Sequence, residues 1–314
     1  MRAAEVDHSA LGGDHAEEVF PGDVPLSLPA LLLALRPAQW TKNAVLLAGV
    51  VFARRLDDFA SVLIALVAVF SFSLISSGIY LLNDVRDIAH DRRHPVKRFR
   101  PIASGNLTAR HAQIAAFTLL IVGFGIAAVV RPLFLATASG YVALMVAYTL
   151  WFKHIVLVDV FVIAGGFVLR AVAGAVAVTV PISPWLLLCT MLLALFLGFC
   201  KRRHEITLLG HGATVHRGTL AVYSPRLLDQ CIATSSASTI VAYSIYTFDA
   251  PAVPPNNAMM LTIPFVAFAV YRYLVLVYRH RQGGNPEWLL LRDRPLLTAI
   301  TGWGVASLLV LYTS

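Results

Sequence analysis

Apolar residues come in long runs, and the short stretches between them gather most of the charge. Nine apolar segments fall at 33–53, 59–83, 111–130, 133–150, 155–179, 184–200, 227–248, 258–278 and 295–313. About 20 predominantly apolar residues in helical form cross a bilayer. The pattern therefore predicts an all-α integral membrane protein of nine transmembrane helices over 29–314. Arg36 and Lys42 interrupt the first segment, so its start is expected at the interface rather than in hydrocarbon. Pro132, the Pro181–Pro184 pair and the Pro-rich stretch from Ala250 to Pro255 mark tight connections. No soluble domain or internal repeat is evident. Residues 1–28 are polar, with Asp7, Asp14, Glu17 and Glu18, and match neither a signal peptide nor an Arg-rich transit peptide. They are expected to be a disordered tail.

Composition agrees with this. The chain is 58% hydrophobic and 13% charged, with a mean hydropathy of +0.74, whereas a soluble domain averages about a quarter charged residues. The net charge of +8 does not call for a nucleic-acid partner, because the basic residues lie mostly in short loops. Alternation across nine spans places the loops around 84–110, 151–154, 201–226 and 279–294 on one side with the N-terminus, and these hold most of the Lys and Arg. The opposite loops carry little beyond Arg54, Arg55 and Arg131. By the positive-inside rule the rich side is cytoplasmic, which predicts a multi-pass inner (plasma) membrane protein. Cys189, Cys200 and Cys231 lie in or beside apolar segments without metal-ligand spacing, as small buried hydrophobes do.

The chemistry concentrates where the second segment ends. Asn83-Asp84-Val85-Arg86-Asp87-Ile88-Ala89-His90-Asp91 puts three carboxylates at i, i+3 and i+7, along one side of a helix just leaving the membrane. With solvent partly excluded, each like-charged neighbouring pair costs roughly 2–3 kcal/mol at about 6 Å and a dielectric of ~20. A cation is expected against that face. Mg²⁺ suits it, because magnesium takes a few carboxylates and leaves positions for phosphate oxygens. Asp84, Asp87 and Asp91 are the expected metal and catalytic carboxylates, and Asn83 adds a neutral oxygen. Arg92, Arg93, Lys97, Arg98 and Arg100 follow directly and suit phosphate recognition, with Arg98 expected in a catalytic role.

Asn83-Asp84-x-x-Asp87-x-x-x-Asp91 resembles the first Asp-rich motif of the UbiA superfamily of intramembrane prenyltransferases. Tyr148-Thr149-Leu150-Trp151-Phe152-Lys153-His154 is similar to that family's short basic turn between its fourth and fifth helices. The likeness covers roughly 33–313 and implies a helical bundle around a cavity open to the cytoplasmic side. Four further runs resemble the decaprenyl-phosphate phosphoribosyltransferase branch: Arg36-Pro37-x-Gln39-Trp40-x-Lys42-Asn43, His94-Pro95-Val96-Lys97-Arg98-Phe99-Arg100-Pro101-Ile102-Ala103, Leu169-Arg170-Ala171-Val172-Ala173-Gly174, and Lys201-Arg202. That branch implies transfer of 5-phosphoribose from phosphoribosyl diphosphate (PRPP) to a polyprenyl phosphate, with Mg²⁺ as cofactor and diphosphate as leaving group. One departure separates the branches. Where UbiA aromatic prenyltransferases carry a second Asp-rich motif, this chain reads Cys200-Lys201-Arg202-Arg203-His204-Glu205. Lys201 and Arg202 there would repel a second metal and welcome a phosphate monoester.

Within the spans, Arg170 lies in mid-segment, where an unpaired charge costs several kcal/mol. It is expected to face the cavity or an acid. Asp159, eleven residues earlier, lies ~16 Å away along a helix, too far to pair directly. Lys42, Asn43 and Lys153 are expected to reach the same pocket, with Asn83, Arg92, Lys97, Arg100, Arg170, Lys201, Arg202 and Glu205 binding substrate. The implied reaction is substitution at the anomeric carbon, governed by positioning and electrostatics. Prenyl transfer from a prenyl diphosphate to an aromatic acceptor is the rival within enzymes, disfavoured by the missing second motif. A lipid or metabolite transporter is the rival outside them, disfavoured because the charges gather at one face and no inverted repeat is visible.

Overall fold

The computed structural model describes residues 27–209, 223–250, 253–279, 283–284 and 286–313. The tail expected over 1–28 thus lies outside the described residues except for Ser27 and Leu28. All regular structure among them is helical. Seven helices are long and apolar enough to cross a membrane. They include α3 (Phe59–Arg86), α5 (Ala109–Val130), α6 (Pro132–Leu150), α7 (Val158–Ala177) and α8 (Pro184–Leu209). The other two are α10 (Ile263–Tyr278), entered through a 3₁₀ turn at Ala258–Thr262, and α12 (Arg294–Thr313).

The other two expected spans form differently. The first breaks into α1 (Leu28–Ala34), a 3₁₀ stretch (Pro37–Leu47) and α2 (Ala48–Phe52). Pro37 has no N–H to continue α1, and Arg36 before it turns left-handed at φ 56°, ψ 60°. The second is α9 (Pro225–Asp249), 25 residues long yet too polar to count among the seven. Its hydroxyls bond back along the helix, Ser235 to Cys231 O at 2.7 Å and Thr239 to Ser235 O at 2.7 Å, so they need no outside partner. Short α4 (Ile88–Asp91) and α11 (Pro286–Arg292) complete the set.

Local chemistry sets the helix starts. Asp58 caps α3, Thr108 caps α5 and Ser224 caps α9, each accepting from a backbone N–H of its first turn. The hydrogen bond from Ser61 is the main reason the Asp58 carboxyl is held below its usual range. Pro132 opens α6 directly after extended Arg131.

α3 and α5 pack antiparallel through small residues. Ser71 bonds to Gly123 O at 2.8 Å, and a Cβ on Gly78 would come within 3.0 Å of Ala116 O. Two of the buried cores share α7. One gathers Leu46, Phe72, Ile75, Phe134, Tyr141 and Ala173; the other gathers Val160, Phe196, Ile232, Tyr273 and Leu296. The outer flanks are apolar: Ile121 is 72% and Val129 88% exposed, as lipid contact requires.

Candidate functional site

The connections after α3, α6 and α8 and before α5, α7 and α9 share one end of the bundle, and most of the candidate residues meet there. α3 does not continue through the acidic motif. It ends at Arg86, Asp87 is its C-cap at φ −93°, ψ 10°, and α4 starts afresh. The expected single face of three carboxylates is therefore corrected: two converge and the third stands apart. Asp84 and Asp91 are buried, 5% and 1% exposed, and a single nitrogen joins them. Arg100 Nη1 lies 3.0 Å from Asp84 Oδ1 and 2.6 Å from Asp91 Oδ2. Asp84 is also held by Arg36, whose Nη2 reaches its two oxygens at 2.6 and 2.7 Å. Asp87 faces Lys153 at 3.5 Å, which brings the turn after α6 onto the motif. Among the described residues no three His, Cys, Asp or Glu side chains gather as a ligand set. The cation expected against these carboxylates is supplied here by Arg36, Arg100 and Lys153.

The other expected residues divide between site and scaffold. Asn83 Oδ1 accepts from Thr149 at 3.0 Å, tying α3 to α6. Arg92 is exposed and donates from Nε to Ala103 O at 3.1 Å. Arg98 is exposed, its guanidinium 4.8 Å from the adjacent Phe99 ring. Lys97 opens a short 3₁₀ turn beside them. Lys42 is half-buried, one residue before fully buried Asn43.

Arg170 forms a separate deep node. It donates from Nε to Asn43 Oδ1 at 2.8 Å, from Nη1 to Gly166 O at 3.1 Å and from Nη2 to the Tyr141 hydroxyl at 2.8 Å. The Tyr141 and Phe167 rings lie 4.5 and 5.3 Å from it. Asn43 is fixed in turn by donating to Ser73 and Ser76. Arg170 thus meets neutral oxygens and rings rather than an acid, and Asp159 stays away from it as its spacing required.

The basic run at 200–205 is corrected more strongly. It is not an open loop but the last turns of α8. Arg202 is 3% exposed and donates from Nε to Asp159 at 2.7 Å and from Nη1 to Glu205 at 2.5 Å. Tyr223 donates to Asp159 at 2.8 Å, closing the node. Burial, then that hydrogen bond, pushes the Tyr223 phenol up, so it stays a donor. Arg203 is bound to Asp229 on α9 and packs 4.2 Å from the Tyr278 ring. Arg202, Arg203 and Glu205 therefore clamp α7, α8 and α9 together, and the phosphate reading of Arg202 gives way to a scaffold role. Lys201 is half-buried on the same turn.

A family model described as the UbiA prenyltransferase family matches residues 43–293. The chain belongs to the UbiA prenyltransferase family. It is 33% identical over 290 residues to a decaprenyl-phosphate phosphoribosyltransferase of Mycobacterium tuberculosis, covering 90% of this chain and 95% of that one. With the enzyme of the same name from Corynebacterium glutamicum the identity is 32% over 288 residues, covering 90% and 86%. A UbiA homolog from Archaeoglobus fulgidus, solved bound to GPP and Mg²⁺, shares the fold. Its TM-score is 0.67 at 19% identity, over 90% of this chain and 96% of that one.

In this UbiA-family transferase, sequence reasoning passed over Arg36 as a site residue. The signal was present, because a charge just before Pro37 interrupts an apolar segment, but its partner lies 48 residues away. Tyr141, Tyr223 and Asp229 were missed with no local signal to find them. A cavity of about 270 Å³ opens beside the carboxylates, lined by Leu33, Ala34, Arg36, Asp84, Val96, Phe99, Arg100 and Pro101.

Proposed function

We propose that this transferase moves 5-phosphoribose from PRPP to the phosphate of a polyprenyl lipid, releasing diphosphate, with Mg²⁺ as cofactor. Its site would face the cytoplasm at the inner (plasma) membrane. The observation carrying this reading is the asymmetry of the site. One end of α3 and α4 offers two buried carboxylates, whereas the facing end of α8 offers only Glu205, already engaged by Arg202. Asp159 of α7 shares Arg202 with it, so the acids there are already joined by a buried guanidinium. The names of the relatives point the same way.

The residues present suit a hard divalent cation. Asp84 Oδ1 and Asp91 Oδ2 touch one nitrogen at 3.0 and 2.6 Å, so a single cation already bridges them, and carboxylate oxygens are the donors magnesium prefers. Asp84 and Asp91 would hold it. When bound, Mg²⁺ would neutralise charge developing on the diphosphate. The chain's own residues do the rest. Arg36, Arg100 and Lys153 lie on the acids and are positioned to bind phosphate oxygens. A phosphate nucleophile is already anionic near neutral pH, so orientation and a preorganised electrostatic field matter more than a strong base.

The test is purified protein in lipid nanodiscs with Mg²⁺, polyprenyl phosphate and radiolabelled PRPP. Labelled lipid is expected, and Asp84→Asn should lower its formation at least ~100-fold while the protein remains folded. Turnover of a prenyl diphosphate with an aromatic acceptor, without labelled lipid, would replace this reading by prenyl transfer.

A further inference from the structure

The lining of the cavity between α1 and the turn at 96–101 is of two chemical kinds. Arg36, Asp84 and Arg100 form one; Leu33, Val96 and Phe99 belong to the other. These three apolar side chains are 66, 63 and 68% exposed, and Leu28 and Leu32 extend the same apolar rim along α1. A short helix with apolar side chains outward at a bundle end suits the bilayer interface.

The charged lining has donors to spare. Arg36 reaches Asp84 through Nη2 alone, and Arg100 reaches Asp84 and Asp91 through Nη1 alone. A guanidinium carries five N–H donors over three nitrogens. Nε and Nη1 of Arg36, and Nε and Nη2 of Arg100, therefore make no hydrogen bond to the described residues. Both side chains remain partly open, 27% and 29% exposed. Two guanidiniums with unused forks match a phosphate monoester. Arg36 is held there by a left-handed backbone at φ 56°, a conformation uncommon for a residue with a side chain.

We infer that this cavity is the acceptor subsite, taking an isoprenoid phosphate monoester from the bilayer interface. Its head lies on Arg36 and Arg100, and its first tail carbons lie along Leu33, Val96 and Phe99. The inference rests on the reading that the acceptor is a polyprenyl phosphate. It also distinguishes acceptor from donor: PRPP is polar throughout, so an apolar lining offers it nothing, whereas a lipid phosphate needs both kinds.

Binding without turnover tests it. Protein in nanodiscs is titrated with a polyprenyl phosphate, the parent polyprenol, and PRPP with Mg²⁺, each alone, and read by native mass spectrometry. Wild type should bind the phosphate about tenfold more tightly than the alcohol. Arg36→Gln should bring the two near parity, with Arg36→Lys recovering part of the difference. Phe99→Ser and Leu33→Ser should weaken phosphate and alcohol together. Gel filtration shows that each variant is folded. Equal binding of phosphate and alcohol by wild type would overturn the subsite. So would Arg36→Gln weakening PRPP while sparing the lipid, or serine variants without effect on either lipid. A protein that binds polyprenyl phosphate through Arg36 but transfers no ribose would sink the proposed function and leave the subsite standing.

Discussion

A guanidinium held inside a bundle by neutral oxygens depends on each of them. Arg170 is 4% exposed, and its Nε has one acceptor, Asn43 Oδ1. Removing an acceptor from a buried charged donor costs about 1.5–3 kcal/mol. Asn43→Ala should lower stability by that amount, measured by denaturation in detergent, and Asn43→Asp should recover at least part of it. An unchanged midpoint for Asn43→Ala would show that Arg170 has another acceptor. The sequence marked both residues, because a charge in mid-span and an amide at a span start are rare in apolar surroundings. It could not join them, since 127 residues separate the partners. Asp159 likewise could not be joined to Arg202, 43 residues on, because that arginine reads as loop charge in the sequence.

At the scale of elements, hydrophobic runs located the crossing helices well, because burial in lipid leaves little choice of backbone. They failed where neighbours decide. The 3₁₀ stretch at 37–47 lies against α7 so closely that a Cβ on Gly174 would come 2.0 Å from Leu46 O. Gly174→Ala must push backbone from backbone and should sharply reduce the folded yield. Gly140→Ala meets nothing within 4 Å and should leave the yield near wild type. Equal yields, judged by gel filtration, would mean that the two segments can part without loss. The break at Asp87 was equally hidden. The motif alone reads as continuous helix, but Arg100 joins Asp84 to Asp91 while Lys153, from elsewhere in the chain, holds Asp87.

For the whole molecule, composition and alternation of charge were enough to read a membrane protein with an apolar exterior and most of its loop charge gathered at one end. Orientation follows from the proposed cytoplasmic site. A cysteine at exposed Asp57 should react with an impermeant thiol reagent added outside intact cells, and one at Arg93 only after permeabilisation. The opposite pattern would invert the bundle. Two of the cores share α7, and this has a consequence for the order of synthesis. Asp84, Asp91, Arg36, Arg100, Lys153, Asn43, Tyr141 and Arg170 all precede Ala177, where α7 ends. A ribosome that has just made α7 has therefore already supplied every side chain of the charged pocket. The helices that follow are added against α7 and α2, where the clamp of Arg202 on Asp159 and the packing of Tyr246 and Trp303 on Phe52 join them to a half whose chemistry is already in place.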